Sequence, residues 1–278
     1  MAEITAAAVK SLRDQTGLPM MDCKRALLET GGDVDKAVDW LRKQGKKVAE
    51  KRAGRTTTSG RIAVYANLTG AGAMVDLRCE SAPVANNEQF IGLANDMARQ
   101  LATGPGAASP EQLLAQNSPS HPGQTLAQQF EDLNNRIREA FKLERLVRID
   151  GSTAGYAHHN GAVGVLLEVE SGSPELARDF CMHIAAMRPK VVHRDELDPA
   201  DVDTERGILA EAARKEGKPE KIIAKMVEGR LKDFYAERCL LDQPHANRDK
   251  YGGKTIEELA REAGMKIVRF VHWELPKE

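Results

Sequence analysis

Apolar residues along this chain change their spacing from segment to segment, and each spacing predicts a kind of element. Near the N-terminus the spacing is helical. Val9 and Leu12 share one face of a first helix, with Thr5 placed as its cap and Gly17 as its stop. A second short helix turns Cys23, Ala26 and Leu27 inward and ends at Gly31-Gly32. Asp33 caps a third, which carries Val34, Ala37, Val38 and Leu41. Three helices of about ten residues bury too small a core for high stability, so such a module is expected to sit on a partner. Met20 and Met21, in the turn, are flexible and apolar: they suit an adaptable contact surface, or they fill the small core.

From Ile62 the spacing shifts to two. Val75, Leu77 and Cys79 alternate with Asp76, Arg78 and Glu80, which predicts a strand with one buried and one solvated face. The segment then recurs. Tyr65-Ala66 and Gly70-Ala71 return 91 positions later as Tyr156-Ala157 and Gly161-Ala162. Past the turn the offset is 90, and Val75, Leu77, Glu80 and Ser81 are matched by Val165, Leu167, Glu170 and Ser171. A helix follows in each copy. The first is expected to bury Phe90, Ile91, Ala94, Met97, Ala98 and Leu101, and the second Leu176, Phe180, Ile184 and Met187. A two-stranded hairpin is marginal alone, so each sheet needs its helix and a further strand. Residues 266–274 are the candidate strand in the second copy; between the copies lie a Pro/Gly-rich loop, 104–123, and an amphipathic helix over about 126–143.

Asp198-Pro199 starts another helix, sparsely apolar at Val202, Ile208, Leu209 and Ala212. After Gly217-Lys218-Pro219 the chain returns through Ile222, Ile223, Met226, Val227, Leu231 and Phe234. Such narrow seams fit an antiparallel coiled-coil hairpin projecting from the body, the alternative being a pair packed back onto it. The predicted fold is therefore α+β. It comprises a three-helix module at 1–45, a basic linker at 46–61, and related core subdomains at 62–145 and 146–278, the hairpin 198–238 being inserted in the second.

Length and charge narrow the function. The chain has 278 residues, enough for two or three compact units, and 40 Lys+Arg against 41 Asp+Glu give no global basic field. No N-terminal basic and apolar leader is recognisable, and no stretch nears the roughly 18 apolar residues of a membrane helix. Cys23, Cys79, Cys181 and Cys239 form no C-x-x-C pair and read as reduced thiols of a cytoplasmic protein. Lys46, Lys47, Lys51, Arg52 and Arg55 read as a solvated linker; RNA contact is the alternative, but no aromatic residue interleaves them.

Enzymatic chemistry finds little support. Gly252-Gly253-Lys254-Thr255 resembles the end of a phosphate-binding loop, but Arg248 stands where that loop needs glycine. His158 and His159 lie in the loop of the second hairpin; adjacent histidines on an extended segment point apart, so surface contact or solvation is favoured over metal chelation. His183 reads as a partly buried core histidine, and the carboxylates suggest no acid/base pair. No catalytic role, cofactor, small-molecule substrate or membrane association is expected.

Two motifs carry a resemblance. Gly17-Leu18-Pro19-Met20-Met21-Asp22-Cys23-Lys24-Arg25-Ala26-Leu27 resembles the N-terminal signature of the elongation factor Ts family, and Met226-Val227-Glu228-Gly229-Arg230-Leu231 its second signature. His183-Ile184-Ala185-Ala186 and Leu240-Leu241-Asp242-Gln243-Pro244 are lesser echoes in the same order. The resemblance implies a ubiquitin-associated-like module, two core subdomains and a coiled coil. It also implies that the partner is elongation factor Tu, which the protein would relieve of GDP, with no direct nucleic-acid partner. The contact residues it implies are Leu12, Met20, Met21, Ser81, Ala82, Pro83, Val84, His158, His159 and Met226. One departure matters. The family's usual Thr-Asp-Phe, whose Asp and Phe press near the magnesium and nucleotide site of Tu, is here Ser81-Ala82-Pro83. Pro83 keeps a rigid apolar tip, but Ala82 has no carboxylate with which to perturb a cation.

Overall fold

The computed structural model describes residues 4–52, 54–217 and 219–276. The N-terminal module is built as its spacing predicts. Helix α1 (Ala6–Thr16) starts where the Thr5 hydroxyl accepts the Ala8 N–H at 3.2 Å, and it ends at Gly17, whose φ of 68° is left-handed. Helices α2 (Met20–Glu29) and α3 (Val34–Arg52) close a core of Val9, Leu12, Cys23, Ala26, Leu27, Ala37 and Leu41. The predicted linker is corrected here, because α3 continues through Lys46 and Lys47 to Arg52. Lys, Gln, Ala, Glu and Arg are good helix formers, and the extension has a surface to lean on.

That surface is the core helix Leu126–Ile137, α7 in chain order. Gly45 lies so close that a Cβ there would stand 2.2 Å from the Asn135 side chain, and Arg42 pairs with Asp132 at 3.6 Å.

Two three-stranded antiparallel sheets follow, β1 (Ser59–Asn67), β2 (Gly70–Cys79) and β3 (Lys142–Ile149), then β4 (Thr153–Ala157), β5 (Val163–Glu170) and β6 (Lys266–Glu274). In each the hairpin's second strand is central. Between β2 and β3 come α4 (Ala82–Ala85), α5 (Glu88–Thr103), α6 (Pro110–Leu114) and α7 (Leu126–Ile137). The helix expected over 126–143 is therefore shorter. Arg138 takes a left-handed φ of 67° and ends it, and Leu143 belongs to β3, so the first sheet runs past the boundary predicted at 145.

Helix α5 buries Phe90, Leu93, Ala94, Met97, Ala98 and Leu101 against the first sheet, with Ile91 only partly covered. Helix α8 (Pro174–Met187) buries Phe180, Cys181 and Ile184 against the second. Met187, matched in sequence to the buried Met97, is 44 % exposed, because α8 stops there while α5 continues to Thr103. The hairpins also differ in register. Tyr65 pairs with Ala73, but Tyr156 pairs with Val165, since a wider loop over 158–162 replaces the tight turn at Leu68-Thr69.

The second face of β2 is not solvated as its alternation predicts. Ile62, Met74 and Ile149 of the first sheet meet Leu166 of the second, with Val64, Ala66, Val271 and Trp273 around them, so the sheets stack face to face between their helices. Asp76 and Arg78 are buried in this stack. Asp76 accepts from Arg78 at 2.5 and 2.7 Å and from Arg145 Nε at 2.9 Å, and the Arg145 guanidinium lies 4.5 Å over the Trp273 ring.

Helices α9 (Pro199–Lys215) and α10 (Glu220–Arg238) pack on each other through Ala213, Ile223, Val227, Leu231 and Phe234, a cluster sharing no residue with the sheet cores. Lys218, in the predicted turn between them, lies outside the described residues. Ile208 and Ile222, expected on the seam, are 56 % and 44 % exposed. Helices α11 (Arg248–Tyr251) and α12 (Ile256–Glu262) precede β6. Among the described residues no helix is long and apolar enough to cross a membrane.

Candidate functional site

Met20 and Met21 open α2, one turn after the left-handed Gly17, and are 46 % and 67 % exposed. The module's core closes without them, so they do not fill it. Leu12 is the opposite case. It is fully buried between α1 and α2, so its side chain holds the module together and is removed from the contact set.

Ser81 caps α4, which places Ala82 and Pro83 outward on the first turn and Val84 half-buried on the first core. The tip is firmly mounted. Glu139 accepts the Ser81 N–H at 3.0 Å and the Ser81 hydroxyl at 2.5 Å, while Glu80 accepts the Ala140 N–H at 2.6 Å. That Ala140 bond, with Arg55 beside it, holds the Glu80 carboxyl below its ordinary range despite some desolvation. Beneath the tip, burial pushes the Cys79 thiol up to about 12, so it is inert.

His158 and His159 fall in the hairpin loop after β4, where expected, but their rings lie 4.3 Å apart. They therefore do not point apart as expected. Nδ1 of His158 is 2.7 Å from the Tyr156 hydroxyl, and Arg61 donates to the His159 carbonyl at 3.0 Å. The fold brings this turn to α4: Ala82, Asn86, His158 and Asn160 line one groove of about 440 Å³ with Arg188 and Glu274. Met226 is not part of it and stands half-buried on α10.

Arg138 and Glu139 were missed. The spacing around them is compatible with a continuing helix, so no local signal marked the turn. Arg138 pairs with Asp22, next to the methionines, while its neighbour Glu139 holds Ser81.

The remaining candidate chemistry resolves into structure. Thr255 caps α12 in a capping box with Glu258, and Lys254 pairs with Glu262 at 2.7 Å, so the glycine run is a helix entry. His183 is buried, with Nε2 2.8 Å from the side-chain oxygen Oε1 of Gln243 and Nδ1 accepting the Ala246 N–H at 3.0 Å; burial lowers its pKa to about 4. Among the described residues no group of three or more His, Cys, Asp or Glu side chains is arranged to hold a metal ion.

Comparison with known proteins agrees with the two signatures. The family model described as Elongation factor TS matches residues 80–277. An elongation factor Ts of Saccharopolyspora erythraea is 43 % identical over 281 residues, covering 99 % of each chain. One from Alkalilimnicola ehrlichii is 40 % identical over 275 residues, covering 98 % of this chain and 92 % of the relative. One from Clostridium botulinum is 40 % identical over 283 residues, with the same coverage. With both the family model and relatives of this identity aligned over nearly its whole length, the chain belongs to the elongation factor Ts family.

Proposed function

We propose that this chain binds elongation factor Tu in the cytoplasm and speeds release of its GDP, so that GTP can load. It does so without a covalent step, a cofactor or a substrate of its own. The observation that carries the reading is the exposed Met20-Met21 pair on a module whose core is complete without it, in a member of this family. A factor that grips nucleotide-free Tu more tightly than GDP-bound Tu must weaken GDP by the same ratio, at about 1.4 kcal/mol of differential contact per tenfold. In this reading the ubiquitin-associated-like module holds one side of the partner through the methionines. The tip at Ser81, Ala82, Pro83 and Val84, with His158 across the groove and His159 next to it in the same loop, meets it near the nucleotide. The α9–α10 pair, read as a projecting coiled coil, grips elsewhere through Met226.

One observation favours a second reading. Ala82 presents a methyl group where the family carries a carboxylate, which would leave a protein that holds Tu but exchanges poorly. Release of a fluorescent GDP from elongation factor Tu of the same organism separates the two. Strong acceleration supports exchange; a stable complex without acceleration supports holding only, and no complex sinks both.

A further inference from the structure

The methionine pair and the α4 tip belong to separately built bodies, and one turn is bonded beside both of them. The module has its own closed core, and clefts of about 460 and 280 Å³ open between it and α7. Between the clefts it meets α7 and the turn after it through Gly45 against Asn135, Gly17 against Arg136, and the pairs Arg42–Asp132 and Asp22–Arg138. Arg138 and Glu139 are consecutive residues at the α7 terminus. Arg138 reaches Asp22, the residue after Met21, while Glu139 takes both the N–H and the hydroxyl of Ser81, the residue before Ala82. The turn itself is fixed from below. The Arg138 N–H donates to the Asn134 carbonyl at 2.8 Å, and the buried Asn134 side chain donates to the Glu139 carbonyl at 2.9 Å.

We propose that Arg138 and Glu139 are positioning residues that hold the methionine pair and the α4 tip at one fixed separation, so that both meet the partner together. The inference rests on the reading of these two patches as the surface that meets elongation factor Tu. Two patches presented at the spacing their target demands bind as one bivalent surface, and loosening either lowers the effective concentration of the second contact. The Asp22–Arg138 pair is partly exposed, so it adds little to fold stability and its main consequence is geometric.

The test has two readouts. The first is the distance between spin labels on Met21→Cys and Pro83→Cys, measured without partner; the native cysteines at 23, 79, 181 and 239 are fully buried and stay unlabelled. The second is GDP release as a function of factor concentration, in unlabelled protein. A narrow distance distribution that broadens in Asp22→Asn and in Arg138→Gln supports the proposal. So does a half-saturating concentration raised about fivefold with the thermal midpoint unchanged. The reversed pair, Asp22→Arg with Arg138→Asp, is expected to restore both. Unchanged distances in the single variants overturn it. So does release lost in the singles and not recovered in the reversed pair, which would make Asp22 or Arg138 a direct partner contact. If the unaltered protein does not accelerate release at all, the functional reading fails, while the distance measurement still decides whether the turn positions the two patches.

Discussion

Individual side chains divide into those that present a surface and those that hold it. Met20 and Met21 are outward and unsupported by the core, whereas Pro83 projects from a single helical turn and Ala82 brings no charge. Met20→Ala combined with Met21→Ala is therefore expected to slow nucleotide release more than Pro83→Ala. Release rates at equal factor concentration check the ranking, and equal or reversed losses would reject it. His183 acts inside the fold. Burial depresses its pKa to about 4, and burial also lowers that of His245, whose ring centre lies 5.2 Å away. The unfolded chain, with imidazoles near 6.5, binds protons first as the pH falls. The stability due to His183 is thus fully present above pH 6.5 and is lost progressively toward about pH 4, by as much as about 3 kcal/mol. Urea unfolding at intervals from pH 7 to pH 5 measures this slope, and His183→Gln is expected to flatten it.

Among the elements, the α9–α10 pair is the most self-contained. Its apolar cluster shares no residue with either sheet core, and its base is held by the Arg238 carbonyl, which accepts from the N–H groups of Lys190 and Val191 at 2.8 and 3.2 Å. Replacing residues 203–233 with a short Gly-Ser turn is expected to leave the thermal midpoint of the remainder in place. A fall of more than about 5 °C would show that the pair braces the core. Helix α3 teaches the reverse lesson. Its last turns are polar and basic, and their composition alone suggests a linker, yet they stay helical where Gly45 meets Asn135. Helix-forming residues and a surface to lean on together carry such a segment further than its charge pattern suggests.

In the molecule as a whole, the face-to-face sheets are the joint that fixes one repeat against the other. Glycines permit the close approach. A Cβ on Gly164 would stand 2.4 Å from Ile62 Cγ2, and one on Gly155 would stand 2.7 Å from Val64 Cγ1. Gly164→Ala is accordingly expected to cost about 1–3 kcal/mol in urea unfolding. Adding Ile62→Ala, which removes the clashing methyl, should make the Gly164→Ala change itself less costly in that background. A Gly164→Ala variant as stable as the parent would mean that the sheets separate freely. The same joint carries Asp76 between Arg78 and Arg145: Asp76 and Arg78 are buried together, and the partly exposed Arg145 donates to the same carboxylate. It also brings His158 of the second repeat to the rim of the groove beside α4 of the first.

What the sequence determined by itself was local and repetitive. Helix caps at Thr5, Asp33 and Asp198, the hairpin repeat, the strand at Lys266–Glu274 and the family signatures all follow from spacing and residue type within short windows. What only the tertiary structure decided involves residues far apart in the chain. Lys142 and Leu143 read as the end of a helix until β2 is there to pair with them, and the contact role that the resemblance implies for Leu12 gives way to the core it shares with α2. Asp76 and Arg78 read as solvated because alternation reports one face of a strand and cannot tell that a second sheet covers the other. Arg138 and Glu139 carry no mark of their own, since their partners, Asp22 and Ser81, lie 116 and 58 positions away along the chain and meet them only in the folded molecule.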